Sequence, residues 1–330
     1  MFNEETKRLK IINKIFNTFN LGEVNNYELT SKENDILYHV FTPNKEYYLL
    51  EYNHKTIPNE KVLNTHKQQL NILKNLSTNG VHVILPLSFN DKYFIKYCSK
   101  YYLIYEYQPY SHKTLSSLNE KHLKKLANTL AIIHKLNIKS SLPYQEPKLN
   151  IDLSQILKKA QKINETLYQT IYNNYFLLED LINKVNENLK YINSSLCIND
   201  NDFYLSNILW QKDFLYLINY TSITTYNPLV SLAELSFYYS YIDDKINYDY
   251  YKTFLKTYLK KYGPLKTDYK FALYIAPLKT LNNLNDKINN YSKKDNQKIN
   301  DIISIINKLT TYYNNIETFN KISLLAVKKH

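Results

Sequence analysis

The sequence predicts an α+β fold in which a small N-terminal lobe is built on an antiparallel sheet and a larger C-terminal lobe is helical. The 330 residues are enough for two lobes, since a domain takes roughly 100–200 residues. Short β-rich runs dominate residues 1–107, whereas residues 108–330 show a helical period that is interrupted once, at residues 196–220. We therefore predict a β-rich lobe over 1–107 and a helical lobe over 108–330 that carries the 196–220 loop.

The first lobe begins with a helix and continues as strands. Apolar residues recur at helical spacing within residues 1–20. The runs VNNYEL, DILYHVF and YYLLEY that follow are β-rich, and Pro43-Asn44 is suited to a hairpin turn between the last two. A helix is predicted from about Pro58 to Thr78, packed on the sheet. The runs VHVILPLSF, KYFIKYC and YYLIYEY then predict two or three further strands.

The second lobe is predicted as helices around one polar interruption. Apolar residues recur at helical spacing over 119–137 and 151–192, and again from Pro228 onward with breaks near Gly263 and Pro277. Between them, a loop, a short strand ILW, another loop and a second strand FLYLINY are predicted. The interruption is the most informative part of the sequence for function.

Composition excludes several classes of protein. Hydrophobic residues make up 44% and charged residues 22%, which excludes global disorder. No apolar run reaches the roughly 18 residues of a membrane-spanning helix, and the polar start MFNEETKRLK lacks the apolar stretch of a signal peptide. Cys98 and Cys197 are too few for a disulfide scaffold or a zinc module. We therefore expect a cytoplasmic protein.

The net charge of +12 does not by itself indicate a nucleic-acid partner. Of the 42 basic residues only Arg8 is an arginine, and arginine is the preferred side chain for bidentate phosphate and base contacts. The 43 asparagines and 34 tyrosines beside three glycines indicate the codon bias of an A/T-rich coding sequence. The lysines are then expected to be spread over the surface, and a nucleic-acid partner is not expected.

The chemistry-bearing pattern lies in the interruption. Asp202 is followed five residues later by Asn207 and then directly by an apolar strand. The second strand of this hairpin ends in Leu217-Ile218-Asn219, and the segment Asn227-Pro-Leu-Val-Ser231-Leu-Ala begins a helix. An acid and an amide at this spacing, on a loop that enters a hairpin, form a candidate catalytic loop.

This order of segments resembles the kinase-like small-molecule phosphotransferases, namely the choline/ethanolamine kinase and aminoglycoside phosphotransferase families. Their loop reads His-x-Asp-x(4)-Asn, followed by an apolar strand, an Ile-Asp pair and an Asn/Asp-Pro-x-x-Asp-Leu-Ala segment. Residues 130–134, 102–107 and 47–52 are similar to the family helix that ends in His, its last sheet strand, and the strand that normally carries a nucleotide-binding cation. The resemblance covers about residues 20–260 and implies a two-lobed protein-kinase-like fold with the ligand cleft between the lobes.

The resemblance also implies transfer of the ATP γ-phosphate to a small hydroxyl acceptor of the choline or ethanolamine type. Asp202 corresponds to the catalytic base, and Asn207 and Asn219 correspond to the Mg²⁺ ligands. Glu106 and Tyr107 correspond to the hinge whose backbone would bind the nucleotide. Such transfer depends on positioning and charge neutralisation, and Mg²⁺ takes oxygen ligands. An active member of the family requires ATP and Mg²⁺, whereas an inactive one requires no cofactor.

Several positions depart from the family pattern, and most of them concern nucleotide and metal binding. Lys45, Lys55 and Lys67 are candidate replacements for the missing cation of the third strand. A glycine-rich approach to the phosphates is also absent from the sequence. The departures are Asp200 for the loop His, Asn219 for the metal-binding Asp, Glu51 or Leu50 for the strand cation, Gln69 or Asn71 for its helix Glu partner, and Ser231 for the Asp of Asp-Leu-Ala.

We therefore expect a degenerate member of the family that is non-catalytic or strongly impaired in phosphoryl transfer. It would act as a binding or scaffold protein with an unidentified protein partner. An active choline/ethanolamine-type kinase with Asp202 as base is the first alternative, and a basic surface that binds RNA or anionic lipid is the second.

Overall fold

The computed structural model of the chain describes residues 2–32, 35–136, 142, 144, 146–218, 220–264, 269–291 and 297–327. The chain divides into two compact units, which we call the sheet unit and the helical unit. The sheet unit comprises Met1–His112 and Ser206–Thr221, and the helical unit comprises Lys113–Leu205 and Ser222–His330. The α+β class predicted from the sequence is confirmed.

The helices and strands follow the predicted sequence of elements, with some additions. They are α1 (Phe2–Thr18), β1 (Asn26–Lys32), β2 (Ile36–Phe41), β3 (Glu46–Glu51), α2 (Glu60–Thr78), β4 (Ile95–Tyr97), β5 (Lys100–Glu106), α3 (Glu120–Lys135), α4 (Leu153–Ile163), α5 (Glu165–Asn173), α6 (Tyr175–Asn188), β6 (Cys197–Asp200), β7 (Ile208–Gln211), β8 (Phe214–Leu217), β9 (Ile223–Tyr226), α7 (Pro228–Tyr238), β10 (Tyr241–Ile242), β11 (Lys245–Ile246), α8 (Tyr248–Tyr262), α9 (Lys270–Ile275), α10 (Leu278–Asn289) and α11 (Gln297–Val327).

The sheet unit is built on an antiparallel sheet with the strand order β1-β2-β3-β5-β4 in the described residues. Because side chains alternate between the two faces of a strand, every second residue of β2, β3 and β5 points to the same face. On one face Tyr38, Leu49 and Ile104 pack against Ile12 and Phe16 of α1. This core explains why the amphipathic N-terminal helix forms: its apolar side is buried on the sheet.

The hairpin β7–β8 groups with the sheet unit, although the sequence placed the whole 196–220 loop in the helical lobe. The reason is a set of main-chain hydrogen bonds. Leu217 accepts from Ile84 N–H at 2.8 Å and donates to the His82 carbonyl at 3.1 Å, and Ser111 and Trp210 exchange two bonds of 2.8 Å. The run VHVILPLSF, predicted as a strand, contributes no strand among the described residues but two isolated bridges, Val83 with Leu217 and Phe89 with Lys92. Pro86 within that run cannot donate to a ladder.

The helical unit contains a small strand pair that the sequence did not reveal. β6 pairs antiparallel with β9, so that Asp200 lies opposite Ile223. The predicted helical stretch 151–192 is divided into α4, α5 and α6. Asn164 ends α4 and caps the first turn of α5, since its side chain accepts from Leu167 N–H. α7 is buried along most of its length and forms the centre of this unit.

Among the helices that the structure describes, none has a stretch both long and apolar enough to cross a lipid bilayer.

Candidate functional site

The loop that carries Asp202 is held by the buried side chain of Asp200. Asp200 ends β6 and is only 2% exposed. Its Oδ1 accepts from Ser222 Oγ at 2.5 Å and from the Asp202 backbone N–H at 3.1 Å. Asn201 N–H also donates to the Ser222 carbonyl at 3.0 Å. Asp200, which the resemblance aligns with the loop His, therefore holds the turn in place through these hydrogen bonds.

Burial raises the pKa of the Asp200 carboxyl to about 6, against the opposing effect of its hydrogen bonds to Ser222 and Asp202. The desolvated carboxylate is disfavoured relative to its neutral acid. Asp200 therefore carries a proton in the folded chain over a range of pH in which an exposed Asp is ionised.

Asp202 is exposed at the top of this turn. The following residue, Phe203, is fully buried, and the Tyr204 N–H donates to the Asp202 carbonyl at 2.6 Å. The loop is thus anchored on both sides of Asp202. A carboxylate on a fixed turn and in contact with solvent can accept a proton from a hydroxyl group, which is the role that the sequence assigned to it.

A polar network supports the loop from beneath. Asn199 Oδ1 accepts from His134 Nε2 at 2.6 Å and from Ser231 Oγ at 3.1 Å, and Asn199 is fully buried. His134 Nδ1 lies 2.8 Å from the Tyr258 hydroxyl. Burial lowers the pKa of His134 to about 4, so the ring is neutral and accepts from Tyr258 at Nδ1. His134 is a structural residue that positions β6.

In the sheet unit, Glu51 lies on the α1 side of the sheet. It continues the alternation of Tyr47 and Leu49, which belong to the core under α1. The buried carboxylate accepts from the Tyr38 hydroxyl at 3.0 Å and pairs with Lys100. Glu51 therefore does not point a negative charge toward the other face of the sheet, and its charge is compensated by its own lysine.

A neutral hydrogen-bonded cluster, which we call the tyrosine cluster, links the end of β3 to α2 and to the segment after β8. It consists of Tyr52, His66 and Tyr220. The two tyrosine hydroxyls are 2.5 Å apart, and His66 Nδ1 is 3.0 Å from the Tyr220 hydroxyl. Burial raises the pKa of both tyrosines and lowers that of His66. All three groups are therefore uncharged near neutral pH.

Gln69, one of the two positions aligned with the helix Glu, joins the same region. Its side-chain amide donates to the Thr221 carbonyl at 2.8 Å. The resemblance implies an ion pair between a strand cation and a helix carboxylate, whereas Gln69 is a neutral amide. Here the described contacts between α2 and its neighbours at this place are neutral hydrogen bonds.

The three candidate replacement lysines lie elsewhere. Lys45 pairs with Glu106 at 2.5 Å, Lys67 reaches only Asn64 on the outer side of α2 at 3.4 Å, and Lys55 lies on an exposed turn. All three side chains are exposed. None of these lysines is part of the tyrosine cluster.

The predicted hinge residues lie at the end of β5. The Glu106 carboxylate is engaged by Lys45, and the Tyr107 N–H donates to the Glu46 carbonyl at 3.0 Å. The Tyr107 ring stacks on His39 with centroids 4.8 Å apart and planes at 25°. Tyr48 packs against both rings. This aromatic face could stack a planar base, but the Tyr107 N–H already serves the sheet and is not available to adenine.

The predicted metal ligands give a weak site for Mg²⁺. Asn207 ends a 3-10 turn, Leu205–Asn207, and its carbonyl accepts from Ile218 N–H at 3.3 Å, which brings it close to the end of β8. Asn219 lies outside the described residues. Both positions carry neutral amides, whereas protein Mg²⁺ sites rely on one or two carboxylates with the substrate phosphates. The donor set therefore fits ATP-bound Mg²⁺ poorly.

The helical unit holds a charged group that spacing in the sequence could not reveal. Glu234 accepts from the Tyr204 hydroxyl and pairs with Lys279 at 3.1 Å. Lys279 also donates to the Asn201 carbonyl at 2.9 Å, which ties this pair to the Asp202 loop. In the sequence, the one signal that α7 lies next to the Asp202 loop was Ser231, which precedes Glu234 by three residues and is aligned with the Asp of the Asp-Leu-Ala segment.

Comparison with solved structures identifies the fold. A spectinomycin phosphotransferase bound to ADP and spectinomycin matches with a TM-score of 0.62 at 13% identity, over 92% of this chain and 98% of that chain. An amicoumacin kinase with AMP-PNP and Ca²⁺ gives 0.62 at 11% identity over 96% of both chains. The choline kinase LicA from Streptococcus pneumoniae gives 0.52 at 17% identity, over 90% and 98%.

No family profile matches the sequence, and no curated protein matches it significantly. The structural matches nevertheless extend over nearly the whole chain. The chain has the kinase-like fold of aminoglycoside phosphotransferases and choline kinases, as the ordered segments of the sequence predicted.

Proposed function

We propose that this chain is a kinase-fold protein strongly impaired in ATP- and Mg²⁺-dependent phosphoryl transfer, and that it acts in the cytoplasm as a binding protein. The observation that carries the proposal is the tyrosine cluster of Tyr52, His66 and Tyr220. In this proposal these buried, neutral groups, which join the end of β3 to α2, stand in for the strand cation and helix carboxylate with which the family binds a nucleotide.

The physical argument concerns charge. Phosphoryl transfer depends on cations that neutralise the charge spread over the phosphate oxygens. Removing one such electrostatic group costs several kcal/mol of transition-state stabilisation, and each 1.36 kcal/mol is tenfold in rate. Glu51 is compensated by Lys100 rather than replaced by a cation, and Asn207 and Asn219 add no negative charge to hold Mg²⁺.

The test is thermal unfolding of the full chain with millimolar ATP, with and without Mg²⁺. A ligand at about 100 times its Kd adds roughly 2.7 kcal/mol to the free energy of unfolding, which raises Tm by a few degrees. We expect no Mg²⁺-dependent rise. A clear rise with MgATP that is absent with MgCl₂ alone would contradict the proposal.

A second candidate function is an active small-molecule kinase, with Asp202 as the base and a small hydroxyl acceptor of the choline or ethanolamine type. It is favoured by one observation: Asp202 is exposed on a turn that Asp200 and Phe203 hold in place. The kinases named above share this fold, and an aminopropanol kinase matches with a TM-score of 0.59 at 12% identity, over 94% of this chain and 99% of that chain.

The two functions are separated by turnover. Transfer of labelled phosphate from ATP to choline or ethanolamine is measured for the wild type, Asp202→Asn and the control Asp301→Asn, another exposed acid. The kinase function requires turnover that Asp202→Asn lowers at least a hundredfold and Asp301→Asn leaves unchanged. Absence of turnover in all three supports the binding function.

A further inference from the structure

A small cavity in the helical unit lies beside the Asp202 loop. It is lined by Tyr204, Glu234, Tyr238, Thr280 and Lys308, among others. Its volume is about 30 Å³, on a measure by which one water needs roughly 10–15 Å³. There is room for about two oxygen atoms, which is the size of a carboxylate group and too little for a trimethylammonium group.

The single carboxylate of this cavity is already fully engaged. One oxygen of Glu234 accepts from the Tyr204 hydroxyl, and the other pairs with Lys279 at 3.1 Å. Glu234 is nearly buried, so this pairing is little screened by water. Lys279 therefore compensates much of the Glu234 charge, and both carboxylate oxygens already have a partner.

Lys308 is the cationic residue that lines the cavity. Its ammonium lies over the rings of Phe237, Tyr238 and Tyr241 at 5.7, 5.2 and 5.9 Å from the centroids. Among the described residues no carboxylate oxygen forms an ion pair with it within 4.0 Å. Burial lowers the pKa of Lys308, and attraction to Glu234 opposes this shift.

The Lys308 ammonium therefore already lies over the aromatic rings that could have bound the ammonium group of a ligand. An aromatic face attracts one cation by its quadrupole, and a second cation beside Lys308 would be repelled. An anion placed in the cavity instead gains a charge-assisted hydrogen bond with Lys308, and the Thr280 hydroxyl can donate to it as well.

We infer that this cavity binds the carboxylate of a small hydroxy acid, with Lys308 as its counter-ion. Hydroxy acids are the class named because Tyr204, which lines the cavity, donates its backbone N–H to the Asp202 carbonyl at 2.6 Å. The cavity therefore adjoins the loop whose exposed carboxylate can accept a proton from a hydroxyl group. The inference goes beyond the proposed function and holds whether or not phosphate is transferred, because every lining residue belongs to the helical unit.

The test is isothermal titration calorimetry on the full chain without nucleotide. The probes are glycerate, its neutral analogue glycerol, choline and inorganic phosphate. We expect glycerate to bind at least tenfold more tightly than glycerol or choline. Lys308→Met should lower the affinity for glycerate at least tenfold, Lys308→Arg should largely retain it, and Lys260→Met, at an exposed lysine of α8, should leave it unchanged.

Three results would overturn the inference: equal affinities for glycerate and glycerol, tighter binding of choline, or glycerate binding that Lys308→Met does not weaken. Tighter binding of phosphate than of glycerate would reject the carboxylate assignment. If Lys308→Met fails to fold, the affinities of the wild type for glycerate, glycerol, choline and phosphate still test the inference. Because MgATP is absent from this experiment, its failure is separate from failure of the proposed function.

Discussion

The sheet unit and the helical unit differ in how their charged groups are paired. In the sheet unit, Glu51 is paired with Lys100, and the tyrosine cluster consists of neutral groups that bond to one another. In the helical unit, Asp202 is exposed, and Lys308 borders a cavity and has no ion pair with a carboxylate among the described residues. The comparison teaches that polar groups of the sheet unit satisfy one another within the packing, while the helical unit presents charged groups to a ligand.

The energetic reason is the cost of burying charge. A buried cation without a partner is unstable, whereas neutral groups that satisfy one another's hydrogen bonds, as in the tyrosine cluster, are stable when buried. Lys308 is half-buried beside its cavity, and an anionic ligand would offset the cost of this partial desolvation.

The largest effect is expected from breaking the network under the Asp202 loop. Asn199→Leu leaves His134 and Ser231 without their buried acceptor. The free energy of unfolding should fall by about 3 kcal/mol, since each unsatisfied buried group costs about 1–3 kcal/mol. Denaturant unfolding measures it, with Asn186→Leu on the exposed side of α6 as the control. A loss below about 1 kcal/mol would show that the network is not important for the helical unit.

The next effect is a pH dependence. The folded pKa of Asp200 is about 6, above the value of 3.8 for an ordinary Asp. Its contribution to stability is therefore present below pH 4 and is lost as the pH rises through 6. Between pH 4 and 7 the wild type should lose up to about 3 kcal/mol relative to Asp200→Asn, which can accept the same hydrogen bonds. Parallel stability curves for the two proteins would contradict this.

A smaller effect tests the sheet unit. Tyr220→Phe removes the hydroxyl shared by Tyr52 and His66. Two buried groups lose a partner, but they can approach each other, so we expect a loss of about 1–2 kcal/mol. Thermal or urea unfolding measures it, with Tyr27→Phe as the control in the same unit. The variant should gain no affinity for MgATP, and a gain would show that the cluster blocks a functional nucleotide site.

The smallest effect is expected at Asp202. Its carboxylate is exposed, so Asp202→Asn should change the free energy of unfolding by less than about 0.5 kcal/mol. This outcome would sharpen the comparison between the two acids, because it would show that the Asp202 carboxylate, unlike that of Asp200, contributes little to the stability of the turn. A loss above about 1 kcal/mol would make Asp202 a structural residue instead.

Much of the secondary structure could be predicted because it depends on local patterns. The helical period, the β-rich runs and the Asn, Gly and Pro stops predicted α1, α2, α3, α8 and the strands β1–β3 and β5. β6 and β9 were missed because CIND and ITTY show little apolar alternation, and their pairing joins residues some 25 positions apart. The loop position of Asp202 also followed from the sequence, whereas the position of Asn219 remains a prediction.

The sequence by itself determined the α+β class and the order of the elements, because these depend on residue type and spacing. Only the tertiary structure decided how the polar and charged groups are paired. The direction of Glu51, the joining of Tyr52 to Tyr220 across 168 residues, and the place of Lys308 beside Glu234 all depend on packing between distant segments. Burial then sets which of these groups is charged, and burial is a property of the folded chain.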